Sequence, residues 1–330
     1  MKKYALTICG ISGSMGAFGI FVRWIQNMTA YEKASGLYIS GNFWGRSLFV
    51  MCVLTVAGLW GITYFLGQIK GLTSPSSYKE ALKKRFVAEK PIIIAIGVIM
   101  MLGAALLFAK SDELPFPSMS RIHALLTFLA VIGFWMMTAA ADHPVGPKTL
   151  CVFSILPILF AAFWLLLSYR EDTATSIVWR YAVEILTLSF SLLGYYFISG
   201  LAFGKRAPRG IIFFSAAGAY FSIINLADDL PKALLVIFFG NALVLLYFVW
   251  SVTSNLCPIS SIQSEPELII DTEEEEEEEP LPAQPAPIEA DEDEIADVIE
   301  VSVSPETITD EDGDTWQEWD ISSNDDSDKT

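Results

Sequence analysis

The chain has 330 residues, a hydrophobic fraction of 53% and a mean hydropathy of +0.46, yet a formal net charge of −17. Of its 38 acids, 27 lie between Glu265 and Asp328, beside the single base Lys329, whereas residues 1–254 hold 20 bases and 11 acids. An apolar, mildly basic body joined to a polyacidic tail excludes a secreted disulfide scaffold, a basic nucleic-acid binder and a single soluble domain.

Eight apolar runs follow along the body, at 4–22, 48–66, 91–109, 122–141, 150–167, 178–203, 211–227 and 233–252. A helix needs roughly 20 apolar residues to cross a hydrocarbon core about 30 Å thick. Backbone in lipid must satisfy its own hydrogen bonds, which a helix does. The runs therefore predict an all-α fold: a polytopic transmembrane bundle of about eight helices over 1–254, followed by a disordered acidic tail over 255–330. The run 211–227 is the weakest, being short and rich in small residues. Lys and Arg in the short loops number 12 on the side of the termini and 7 on the other. That bias predicts cytoplasmic termini. Trp24, Trp44, Trp60, Trp164, Trp179 and Trp250 fall near run ends, where interfacial aromatics belong.

The first run begins after Lys2 and Lys3, like a signal peptide. It continues to Val22 without a clean A-x-A cleavage site, so an uncleaved first helix is expected. Cys9, Gly13 and Ala17 form a small-xxx-small ridge that predicts close helix packing. In the second loop, Ser77 and Glu80 have capping-box spacing. Tyr78, Leu82 and Phe86 follow at i, i+4, i+8 among Lys79, Lys83, Lys84 and Arg85. This predicts a short amphipathic surface helix whose bases meet anionic lipid or dock the acidic tail.

His123 falls near the outer end of the fourth run and His143 in a short loop on the opposite side, so the two cannot share a metal. The four cysteines form no CxxC and read as small buried hydrophobes. No catalytic, cofactor or metal motif is present. Asp112 with Glu113, Glu171 with Asp172, and Asp228 with Asp229 read as solvated acidic loops. Pro157 predicts a kink in the fifth helix.

The sixth run carries the clearest intramembrane charge, Arg180 and Glu184, four apart on one helix face. They read as an orienting ion pair or as a site for a solute or proton, with Glu184 the deeper member. Asn241 lies mid-way along the eighth run; with Thr187, Ser189, Ser222 and Asn225 it reads as interhelical hydrogen-bonding glue or as part of a polar path.

The tail holds seven consecutive glutamates at 273–279 and a proline-rich stretch at 280–287. Its composition cannot build a packed core. Trp316 and Trp319, having no folding role there, are candidate contacts for a cytoplasmic protein partner.

The segment 16–45 includes Arg23, Trp24, Gln26, Thr29, Tyr31, Glu32, Ser35, Gly36, Leu37 and Gly41. It resembles uncharacterised multi-spanning membrane proteins of Gram-positive anaerobic bacteria, which have a glycine-rich first helix, an Arg near its end and a Gly-Leu turn in the first loop. The resemblance implies a bacterial plasma-membrane protein and no particular activity. Two functional readings stand: a membrane-anchored regulatory protein that recruits a partner through its tail, and a transporter or channel for a small solute. A membrane enzyme acting on lipid finds no supporting constellation.

Overall fold

The computed structural model describes residues 1–32, 38–39, 41–75, 77–143, 145–173 and 178–259, and the backbone of two short strands at 306–309 and 315–318. The side chains of 171–180 and of those strands fall outside the description. The chain divides into two units, Met1–Leu268 and Ile269–Thr330.

The first unit is built of α1 (Lys2–Thr29), α2 (Phe43–Tyr64, continued by a π-helical turn Phe65–Ile69), α3 (Tyr78–Ala81), α4 (Glu89–Ala109), α5 (Pro117–Ala139), α6 (Pro147–Thr173), α7 (Val178–Ala202), α8 (Pro208–Ile224) and α9 (Lys232–Ser254). All but the one-turn α3 contribute a span long and apolar enough to cross a membrane. The fold is the all-α polytopic bundle that the apolar runs predict. An even number of spans returns the chain to the face on which it began.

Local signals set the helix ends. The Asn42 side chain accepts the backbone N–H groups of Trp44 and Gly45, capping α2. Pro117 and Pro208 occupy the first turns of α5 and α8, where a missing N–H costs nothing. Gly204, at φ 72°, provides the left-handed residue just beyond α7.

The central helix is α8, which packs against α7, α9, α1 and α2. It is mostly buried, whereas α2 is largely exposed at the outside of the bundle. Its run looks weak in sequence for a physical reason: between lipid-soluble helices, close approach requires small residues rather than bulky apolar ones. The glycines of α1 behave likewise, but not on the expected ridge. Ser12, Gly16 and Gly19 are buried, and a Cβ on Gly19 would lie 2.6 Å from Ile224 Cγ1. Ala17 is exposed, and a Cβ on Gly13 would have nothing within 4 Å. Ile223 and Ile224 of α8 select between two glycine-bearing faces. A second close approach joins α5 to α6, where a Cβ on Gly133 would stand 2.6 Å from the Phe153 carbonyl oxygen.

The second loop departs from its expectation. The Ser77 side chain makes no capping bond, and α3 ends after four residues. Tyr78 instead donates its hydroxyl to the Met137 carbonyl at 2.8 Å, which draws the segment onto α5. Lys84 Nζ lies 2.9 Å from Asp142 Oδ2, and Arg85 Nε donates to Asn255 Oδ1 at 2.8 Å. Lys79, Lys83 and Arg85 remain exposed. The packed body runs past Ser254: β1 (Leu72–Thr73) pairs with β2 (Cys257–Pro258), and the Asn255 amide donates to the carbonyls of Ala81 and Lys83.

Trp164 is not interfacial. It is buried, with ring centroids 4.3 Å from Phe238 and 4.8 Å from His123. In the second unit the backbone of β3 (Glu306–Thr309) pairs antiparallel with β4 (Thr315–Glu318), placing Ile308 opposite Trp316. Beyond those strands, the expected disorder of the tail concerns residues outside the description, as does Trp319.

Candidate functional site

A cavity of about 450 Å³ opens at the end of the bundle where α5 and α7 begin. Small-molecule sites commonly fall between about 300 and 1,000 Å³. Each wall comes from a different element. The first turns of α5 supply Ser120 and His123, which share a helix face at i, i+3. From α6 come Trp164, Leu167 and Ser168, again one turn apart. Tyr181 and Glu184 lie in the first turns of α7. The loop after α4 gives Leu114 and Phe116, and the loop before α9 gives Asp228, Asp229 and Pro231.

Glu184 is 8% exposed, and its Oε1 accepts the Ser168 hydroxyl at 2.7 Å. Of the predicted pair, Glu184 is thus a wall of the cavity; the Arg180 side chain lies outside the described residues. His123 is fully buried, and neither ring nitrogen has a hydrogen-bond partner. Its ring is sandwiched in aromatic surroundings, stacked with Phe160 at 5.7 Å between centroids and tilted against Trp164.

The rim is fixed by an ion pair that the sequence reading assigned to solvent. Arg23, 1% exposed, donates from Nε to Asp228 Oδ1 at 2.7 Å and from Nη2 to Asp228 Oδ2 at 3.2 Å. It also donates from Nη1 to Gln26 Oε1, while Asn27 donates its amide to Asp228 Oδ1 at 2.8 Å. Asp228 therefore stops solvating a loop and becomes the acceptor that lets an arginine be buried. Asp112 is likewise paired, with Arg121 at 2.6 Å.

Asn241 stands in a separate network. It is 1% exposed, donates from Nδ2 to the hydroxyls of Ser191 and Ser222 at 2.9 Å, and accepts the Tyr195 hydroxyl at 2.7 Å. One turn toward the cavity end of α7, the Asn225 amide donates to Thr187 at 2.6 Å. Toward the other end, Ser199 shares a hydrogen bond with Ser154. Thus α7 carries a buried stripe of Glu184, Thr187, Ser191, Tyr195 and Ser199 at helical spacing, each tied to a neighbouring helix. These bonds give the network the geometry of interhelical glue.

Sequence reasoning missed His123, Ser168 and the Arg23–Asp228 pair. His123 carried a signal, a titratable ring within an apolar run and in helical register with Ser120. The other two depend on helices that meet only in the fold. Among the described residues, no group of three or more His, Cys, Asp or Glu side chains is placed to hold a metal ion. No family model matches the chain, and neither the curated proteins nor the solved structures give a significant match.

Proposed function

We propose that this integral membrane protein binds a small solute in the His123–Glu184 cavity, on the pathway of a transporter or as the ligand pocket of a receptor. The observation that carries this reading is His123. A buried polar group without a partner costs free energy, on the order of 1–3 kcal/mol. A cavity wall is where a ligand repays that cost, and Glu184 with Ser168 adds convergent polar groups to mostly apolar walls. The excess of Lys and Arg on the side of the termini supports cytoplasmic termini, and with them a cavity facing outward. The resemblance of segment 16–45 supports a bacterial plasma membrane. The exposed Lys79, Lys83 and Arg85 support contact with anionic lipid, whereas Lys84 is engaged by Asp142. The tail's composition, with Trp316 and Trp319, supports a partner-contact segment in addition to the pocket rather than instead of it.

The test uses Ser120→Cys, deep in the wall, in intact cells. Small charged, membrane-impermeant methanethiosulfonates, one cationic and one anionic, are applied from outside, and modification of residue 120 is read by mass spectrometry. Modification is expected. Reaction only in inverted vesicles keeps the pocket and reverses the orientation. No reaction from either side overturns the reading.

A further inference from the structure

We infer that a groove between α1, α4 and α9 seats an acyl chain of an anionic phospholipid, whose phosphate is held by Lys2 and Arg85 at the groove's mouth. This sharpens the contact with anionic lipid proposed above for Lys79, Lys83 and Arg85, and it rests on the body spanning a bilayer. The groove encloses about 370 Å³ and is almost wholly apolar. Ile92 and Ile96 of α4 and Leu243, Leu246 and Trp250 of α9 recur along it at helical spacing, and Cys9 closes it from α1. At a rise of about 1.5 Å per residue, Leu243 to Trp250 spans roughly 10 Å. On a membrane-spanning body, hydrocarbon fills such a groove.

Apolar walls alone do not choose a lipid, because lipid chains are as apolar as the walls. The second observation is the charge at the mouth. Phe86 and Trp250 stand there with ring centroids 6.3 Å apart, as interfacial aromatics do. Lys2 Nζ lies 4.3 Å from the Phe86 ring centroid. Arg85 is exposed, and its Nε donates to the neutral amide oxygen of Asn255. Among the described residues, neither Lys2 nor Arg85 forms an ion pair with a carboxylate. Asp142 is shared by Lys84 at 2.9 Å and Lys90 at 3.3 Å. Glu89, the one carboxylate in the groove wall, is 6% exposed and accepts the Arg85 backbone N–H at 3.1 Å. It lies in the first turn of α4, where the helix dipole receives a negative charge. Even with Glu89 and Asp142 counted in full, the four bases Lys2, Lys84, Arg85 and Lys90 outnumber these two acids. Guanidinium and ammonium groups donate to phosphate oxygens. A zwitterionic headgroup brings a cation of its own, which that surplus repels.

The experiment reconstitutes full-length protein in vesicles of equimolar palmitoyl-oleoyl phosphatidylglycerol and phosphatidylcholine, extracts it in mild detergent, and quantifies the lipid that stays bound by mass spectrometry. One base near an anionic surface is worth about fivefold in affinity, so retention of phosphatidylglycerol over phosphatidylcholine by about tenfold or more is expected. Lys2→Gln and Arg85→Gln each lower that ratio about fivefold. Ile92→Trp, which fills the groove from a half-exposed position, strips both lipids. Lys79→Gln with Lys83→Gln leaves the ratio unchanged. Equal retention of the two lipids by the wild type assigns the groove to bulk bilayer and overturns the inference. So does a preference that survives both Lys2→Gln and Ile92→Trp. If that surviving preference is lost in the Lys79→Gln, Lys83→Gln variant, the surface contact stands and only the groove falls; if it persists there and in Arg85→Gln, the surface contact falls as well.

Discussion

Arg23 near the end of α1 and Asp228 in the loop before α9 are 205 positions apart in the chain, yet their side chains meet at 2.7 Å with the arginine shielded from solvent. The contact ties the first span to the last two at the cavity rim. Breaking one half of a buried pair costs about 3–5 kcal/mol, because the remaining charge is left uncompensated. Asp228→Asn is therefore expected to lower stability by about 3 kcal/mol, read as a fall in Tm and in membrane abundance. The double change Arg23→Met with Asp228→Leu should recover much of that loss, since an apolar pair has no charge to strand. A single Asp228→Asn as stable as the wild type would show that the pair does not hold the rim.

The Asn241 network and the cavity should separate. Removing the Asn241 amide deprives Ser191, Ser222 and Tyr195 of a shared partner. Asn241→Val is expected to cost roughly 1–2 kcal/mol of stability while leaving the modification of Ser120→Cys in the cavity unchanged. Loss of that modification in Asn241→Val at wild-type Tm would extend the site into the bundle and favour a continuous polar path.

Much of this fold is legible in the sequence because length and apolarity alone report a membrane span. The eight runs predict eight helices, and the extra residues at their ends are those that tertiary contacts recruit. Val22 closes the first run, but α1 continues to Thr29 because Asp228 makes it affordable to bury Arg23. The second loop misleads because spacing cannot tell a surface helix from a segment pulled onto a neighbour; Tyr78 has the periodicity of the first and the hydrogen bond of the second. The site is half legible. Glu184 is found by its cost in lipid, whereas His123 is overlooked because an aromatic, neutral-looking residue blends into an apolar run. Ser168 is not legible at all: one hydroxyl in a helix end acquires meaning only when α7 is laid beside it.

A pH dependence is expected at the end of the bundle where α5 ends and α6 begins. The hydrogen bond from Lys84, with the charges of Lys84 and Lys90, holds the Asp142 carboxyl below its ordinary 3.8. A carboxylate depressed in the folded state stabilises above its unfolded value and loses that contribution as pH falls through the folded one. The Tm gap between the wild type and Asp142→Asn should hold steady from pH 7 down to about 4 and then shrink. A gap that widens on acidification would contradict the Lys84–Asp142 contact.

One buried imidazole, that of His123, stands in the wall of the proposed solute cavity, and the composition makes it directly observable. The chain has two histidines, and His143 is exposed in a loop where it serves as an internal positive control. With ¹⁵N-labelled histidine in nanodiscs, assigned through His143→Gln, magnetisation transfer from water to each ring is measured. A solute pocket walled by His123 predicts transfer to both rings. Transfer confined to His143, with His123 silent to water, would contradict it.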